Sequence, residues 1–122
     1  MTTTKQQEII NELKNNIGTE HYYKIPFSSL VYTDGINNLI NKCGSYWLFS
    51  DLGIELNNNN IINKDFLIVT IEVKNKKGLI TIKEDTNKPI IFKKEYPFLP
   101  DFPLNKYEFY LINKVFLLKS EY

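Results

Sequence analysis

The sequence predicts an α+β fold, with two to three N-terminal helices packed on one face of a roughly five-stranded antiparallel sheet. Three observations carry this expectation. Apolar residues recur every three to four positions up to about residue 56, and every second position from residue 65 onward. Between the two lies the polar stretch Asn57 to Asn60, a run that favours turns over regular structure. Helical segments followed by strands, without alternation, are the mark of helices laid on an antiparallel sheet. The 122 residues fit one domain, with a helical half 1–56, an asparagine-rich loop 57–64 and a β half 65–122.

The first helix is expected to start at Thr2, Thr3 or Thr4 and to run to about Asn15. Its stripe is Ile9, Ile10, Leu13 and Ile17, and Gly18 stops it. Residues 19–33 are read as irregular or short strand, interrupted by Pro26. Thr33 or Asp34 should cap a second helix, Gly35 to Cys43, with Ile36, Leu39, Ile40 and Cys43 inward and Gly44 in the left-handed position after it.

"SYWLFSDLGIEL" predicts a third helix capped by Ser45. Tyr46, Phe49 and Leu52 or Gly53 follow one face, and Trp47, Leu48 and Leu56 widen the apolar arc. From Asp65, Leu67, Val69, Ile71 and Val73 alternate with Phe66, Ile68, Thr70 and Glu72. Lys76-Lys77-Gly78 is expected to turn this strand into a second one with Ile80 and Ile82 inward, and residues 85–88 to turn it into a third. Pro97, Pro100 and Pro103 make an extended crossing, and Asn113-Lys114 turns a last hairpin.

Composition narrows the chemistry. The formal charge of +1 fits neither an acidic nucleic-acid mimic nor a strongly basic binder. The sequence contains no arginine and no alanine, a bias expected of an AT-rich genome. Without guanidinium groups there is no rigid fork for phosphate, carboxylate or guanine. A single cysteine, Cys43, leaves no partner for an internal disulfide and sits on a helical stripe as a small hydrophobe. No apolar run approaches the ~20 residues of a membrane span, and the N-terminus lacks the pattern of a signal peptide. A cytoplasmic address follows as the expectation.

The only histidine, His21, lies in "GTEHYYK" beside Glu20, Tyr22, Tyr23 and Lys24. With Glu20, Asp34 or Tyr23 it could form an acid–base pair, but no strand-to-helix nucleophile and no second histidine accompany it. One His and one Cys about twenty residues apart match no metal-ligand spacing, so neither a metal nor another cofactor is expected. The stronger expectation is a recognition surface made by Glu20, His21, Tyr22, Tyr23, Lys24, Tyr46, Trp47 and Asp51, because Tyr and Trp bring rigid amphipathic area to interfaces. Of Tyr46 and Trp47, one is expected to fill the core. A second candidate is a phosphate-contacting patch of Lys74, Lys76, Lys77, Lys93 and Lys94. Its competitor is a set of lysines that merely keep turns and edge strands soluble.

"GTEHYYK", "YTDG" (32–35), "GSYWL" (44–48), "DFPL" (101–104) and the terminal "LLKSEY" occur in that order. Together they closely resemble a family of small proteins of unknown function carried by bacteriophages, plasmids and integrated elements. Ser45, Pro100 and Lys119 depart from the family's usual alanine, threonine and proline. No catalytic residue carries over. The resemblance implies an accessory protein of a mobile element in the bacterial cytoplasm. By analogy with other such proteins, it implies a non-enzymatic inhibitor that binds a host defence complex, a CRISPR effector foremost. A nucleic-acid-binding accessory factor is the alternative.

Overall fold

The computed structural model describes residues 4–14, 20–26, 28–59, 61–97, 102 and 104–122. Three helices and seven strands follow in chain order: α1 (Thr4–Lys14), β1 (Tyr22–Lys24), β2 (Val31–Thr33), α2 (Asp34–Cys43), α3 (Tyr46–Asn58), β3 (Phe66–Lys74), β4 (Lys77–Lys83), β5 (Ile90–Tyr96), β6 (Lys106–Ile112) and β7 (Val115–Leu117). The expectations placed on Thr2, Thr3, Asn15, Ile17, Gly18, Pro100 and Pro103 lie outside the described residues.

The α+β expectation holds, but the sheet is larger and mixed. Its order is β1-β2-β7-β6-β3-β4-β5. The β2–β7 pair is parallel and every other pair antiparallel. The two additional strands come from residues 19–33. At three residues each they are too short to show a period, and they are held by pairing with the far end of the chain.

Alternation in β3 positions the core. Leu67, Val69 and Ile71 are fully buried and stand in register with Leu111, Phe109 and Tyr107 of β6. Ile80 and Ile82 of β4 continue the same face. Phe49 of α3 seats on it, with ring centroids 5.4 Å from Phe109 and 5.6 Å from Phe116. Ile36, Leu39, Ile40 and Cys43 of α2 and Ile9 and Leu13 of α1 join the same cluster. Burying an aliphatic or aromatic side chain of this size contributes about 1.5–3 kcal/mol.

Helix boundaries follow their caps. Thr33 is extended (φ −87°, ψ 174°) and its hydroxyl accepts from the Ile36 amide at 3.3 Å. Gly44 takes the left-handed conformation, φ 59°, that ends α2. Ser45 does not cap α3. Its backbone (φ −109°, ψ 22°) is not extended, and its buried Oγ makes no hydrogen bond among the described residues.

Nor does α3 stop before the asparagines. Asn57 and Asn58 belong to it, and Asn59 ends it by donating from both its backbone N and its Nδ2 to the Glu55 carbonyl. Only then do Ile61–Asn63 form a 3-10 turn. Asparagine is a poor helix former, but a helix anchored by Leu52 and Leu56 carries two of them at its end.

The first hairpin turns one residue earlier than expected. Asn75 (φ 53°) and Lys76 (φ 64°) are both left-handed, as a two-residue type I′ turn requires, and Lys77 and Gly78 already belong to β4. Asn113 (φ 49°) and Lys114 (φ 69°) repeat this geometry at the last hairpin, as expected.

Candidate functional site

Two groups of the singled-out residues come together. The first is at the start of α2. Asp34 Oδ2 accepts the backbone amides of Glu20 (3.0 Å) and His21 (3.1 Å), and Oδ1 accepts the Tyr23 hydroxyl at 3.1 Å. The Tyr23 ring stacks on Tyr32 with centroids 5.2 Å apart. The Glu20 amide foremost, then the His21 amide and the Tyr23 hydroxyl, hold the Asp34 carboxyl below the usual carboxylate range against some desolvation. The same hydrogen bond raises the Tyr23 phenol. A carboxylate in the first turn of a helix also suits the helix dipole.

Behind Asp34 the end of the chain closes in. Glu121 Oε1 accepts from the Thr33 hydroxyl (2.6 Å) and the Leu118 amide (2.9 Å), and its Oε2 from the Gly35 amide (3.1 Å). Ser120 Oγ donates to the Leu13 carbonyl of α1, and Tyr122 packs on Phe66 and Tyr110. "YTDG" and "SEY" are therefore the two halves of one joint. No local sequence signal marks Glu121 for this role, since two of its three donors, Thr33 and Gly35, lie 88 and 86 positions away.

His21 does not complete a catalytic arrangement here. Its imidazole is 70% exposed, with Nδ1 at 3.6 Å from Asp34 Oδ1, and Asp34 already serves three other donors. Among the described residues no group of three or more His, Cys, Asp or Glu is gathered as a metal ion would need.

The second group surrounds α3. Asp51 and Glu55, four residues apart and so on one side of the helix, both accept from Lys94 of β5, at 2.7 and 3.0 Å. The Tyr96 hydroxyl donates to Asp51 at 2.6 Å, and Trp47 meets the Tyr96 ring edge-on at 5.8 Å. Burial opposes ionisation of Asp51, but the Lys94 and Tyr96 hydrogen bonds outweigh it and lower the carboxyl. Burial foremost, and then the Asp51 bond, raise the Tyr96 phenol. Asp51 and Lys94 thus stitch the edge strand to the helix rather than facing outward.

The lysine cluster also comes apart. In β5, successive side chains alternate, so Lys93 stands on the face opposite Lys94. Lys74, Lys76 and Lys77 remain exposed at the β3–β4 turn.

Neither Tyr46 nor Trp47 fills the core, contrary to the expectation for one of them. Tyr46 is 52% and Trp47 45% exposed, while Leu48, Phe49, Leu52, Gly53 and Leu56 form the buried side. The buried arc is centred between Phe49 and Leu52, which places Trp47 on the far side of the helix and Tyr46 on its flank. Ile54, 39% exposed, comes round seven residues after Trp47 on the same outer face. That i, i+7 spacing was the available signal for Ile54. On β1, Tyr22 and Lys24 are exposed and lie on the opposite side of the strand from Tyr23. Tyr22 and Lys24 therefore point away from the Tyr23–Tyr32 stack.

A family model of unknown function, DUF6876, matches residues 7–122. The chain belongs to this family. No curated protein and no solved structure matches the DUF6876 chain. All five motif segments have residues within the described geometry that hold it together: Glu20, His21 and Tyr23, Tyr32 to Gly35, Gly44, the buried Phe102 and Leu104, and Ser120 to Tyr122.

Proposed function

We propose that this protein is a non-enzymatic binding module that docks on a larger protein through the outer face of α3. One observation carries the reading. Of six large hydrophobic side chains exposed among the described residues, Tyr46, Trp47 and Ile54 sit on this one helix. A Trp–Tyr–Ile set on a rigid element, with its neighbours Asp51, Glu55 and Lys94 already paired, has the composition of an interface hot spot. The fixed polar ring around Trp47 limits the side-chain entropy lost on binding.

The partner class comes from the mobile-element resemblance: a bacterial defence complex in the cytoplasm, a CRISPR effector first, inhibited by covering a functional surface. The near-neutral charge favours surface blocking over mimicry of nucleic acid. The nucleic-acid reading draws less support, because Lys94 is engaged by two carboxylates and Lys93 stands on the opposite face.

The test is direct. Purified protein is titrated into CRISPR effector complexes from bacteria that carry such elements, and complex formation and target cleavage are followed. The expected result is a stable complex and inhibition that titrates stoichiometrically, both lost with Trp47→Ala. Retention of inhibition by Trp47→Ala together with Tyr46→Ala, or enzymatic turnover of an effector component, would overturn the reading.

A further inference from the structure

Among the described residues β6 is only half covered. It pairs with β3 along its whole length, Lys106 to Ile112, but with β7 only at Tyr110 to Ile112. On that side, no strand among the described residues lies beside Lys106 to Phe109. The Val73 amide donates to the Asn105 carbonyl at 2.8 Å, which sets the phase of the antiparallel ladder. Tyr107 and Phe109 then exchange bonds with β3, and Lys106 and Glu108 turn their amides and carbonyls toward the uncovered side.

After β7 the chain turns away from this edge. In the register of Tyr110 with Leu117, the residue facing Glu108 would be Lys119. Instead Lys119 lies in the 3-10 turn Lys119–Glu121, in which the Glu121 amide donates to the Leu118 carbonyl and the Leu118 amide donates to Glu121 Oε1. Lys119 reaches Glu108 by its side chain only.

A groove of about 540 Å³ runs along this edge, between α1 and the 3-10 turn. Its apolar lining is Ile10, Leu13 and Tyr107, and Lys14, Lys106 and Lys119 stand around it. Glu108, the one acidic residue lining it, is held by Lys119 and by the Thr70 hydroxyl at 3.0 Å. Lys14 and Lys106 form no ion pair among the described residues.

We propose that this edge is a second docking site, which takes an extended acidic segment of a partner protein by strand addition. Alternating backbone donors and acceptors match another main chain. Four residues of edge span about 13 Å of extended peptide. The lysines select carboxylates, and the apolar lining takes one aliphatic side chain between them. A second copy of this chain would bring together two edges that each carry three lysines and one glutamate. A phosphate backbone has no donors to offer the exposed carbonyls.

The site is separate from the α3 face, so its test separates from that reading. The probe is the peptide Glu-Val-Asp-Leu-Glu-Val added to the full chain, followed by fluorescence anisotropy and amide hydrogen exchange. The expected result is at least tenfold slower exchange at the Lys106 and Glu108 amides. Binding should weaken at least tenfold when alternate peptide amides are N-methylated. It should weaken similarly in Lys14→Gln combined with Lys106→Gln, both exposed positions at which loss of the charge should leave the thermal midpoint nearly unmoved. Trp47→Ala should leave peptide binding unchanged.

Several results overturn the proposal. They are no protection at millimolar peptide, indifference to N-methylation, equal binding of the Lys-for-Glu peptide, protection that rises with protein concentration alone, and equal protection by oligothymidylate. Any of the first three would leave the lysines as guards of a strand edge.

Discussion

The start of α2 and the outer face of α3 are both rich in the residues a sequence reader would single out, and the fold uses them in opposite ways. At the start of α2 the carboxylates and the Thr33 hydroxyl are spent inward. Asp34 fastens the loop at 20–23, Thr33 caps the helix, and Glu121 binds three donors, two of them from the distant segment 33–35. On α3 the large side chains are left facing outward while the charges beside them are paired. Dense motif residues therefore mark two different things: a joint that holds the ends of the chain together, and a surface left unsatisfied by it. Substitutions at the joint should cost stability, and substitutions on the helix should cost binding.

The largest effect is expected at Glu121. Its replacement by alanine strips the acceptor from the Thr33 hydroxyl and from the Gly35 and Leu118 amides. Loss of charge-assisted hydrogen bonds of this kind costs about 3 kcal/mol. Denaturant unfolding should show a lower midpoint at unchanged slope. If Glu121→Ala unfolds like the parent, the joint is not what closes the fold.

Gly35→Ala attacks the same joint from the other side and ranks next. A Cβ there would lie 2.5 Å from Glu121 Cδ and 2.8 Å from Leu118 Cδ1. Overpacking of this kind costs about 2 kcal/mol, against which alanine's better helix propensity returns less than about 1 kcal/mol. Combining it with Glu121→Ala sharpens the comparison. The Glu121 part of the clash is then gone and only Leu118 Cδ1 remains, so the double variant should lose less than the sum of the two, a coupling that the equilibrium double-mutant cycle reads directly.

This joint explains where sequence reading succeeds and where it stops. The α2 caps were legible because Thr33 and Gly44 act on residues within four positions of themselves. The alternation of Leu67, Val69 and Ile71 was legible because period two is a local property. The role of Glu121 was not, because nothing near it in sequence reports a partner at Thr33. β1 and β2 were ambiguous for the same reason: three residues carry no period, and their stability comes from β7. Lys93 and Lys94 read as one patch in sequence, yet strand alternation separates them and only Lys94 meets Asp51 and Glu55. At α3, local pattern located the helix but assigned Tyr46 to the wrong face, because the buried arc is set by where the sheet lies beneath it.

A smaller effect separates Asp34 from its neighbours by pH. Its folded pKa is depressed, so the stability it contributes is fully present above the unfolded value near about 3.9. That contribution is lost as pH falls through the folded value. Asp51 and Glu108 are also lowered and titrate in the same direction. The informative quantity is therefore the difference between the parent and Asp34→Asn. That gap in thermal midpoint should be open at pH 6 and should narrow steadily toward pH 3. A gap that stays constant would mean that shape, not charge, secures the loop.

The smallest effect on stability, and the one that most sharply divides the two regions, belongs to Trp47. Its ring is partly covered and meets Tyr96 edge-on, a contact worth about 1 kcal/mol beyond the area it buries. Trp47→Ala should therefore lower the unfolding midpoint less than either substitution at the joint. Truncating an aromatic anchor at the centre of an interface commonly costs more than ~2 kcal/mol of binding, which is over tenfold in Kd. Tyr22→Ala supplies the control: it is also an exposed aromatic, at 61%, but it lies on β1 rather than on the α3 face. Loss of partner affinity with Trp47→Ala and retention with Tyr22→Ala would place the contact on the helix. The reverse would place it on the loop that Asp34 fastens, so that the joint itself would be the binding surface and the division between the two regions would fail.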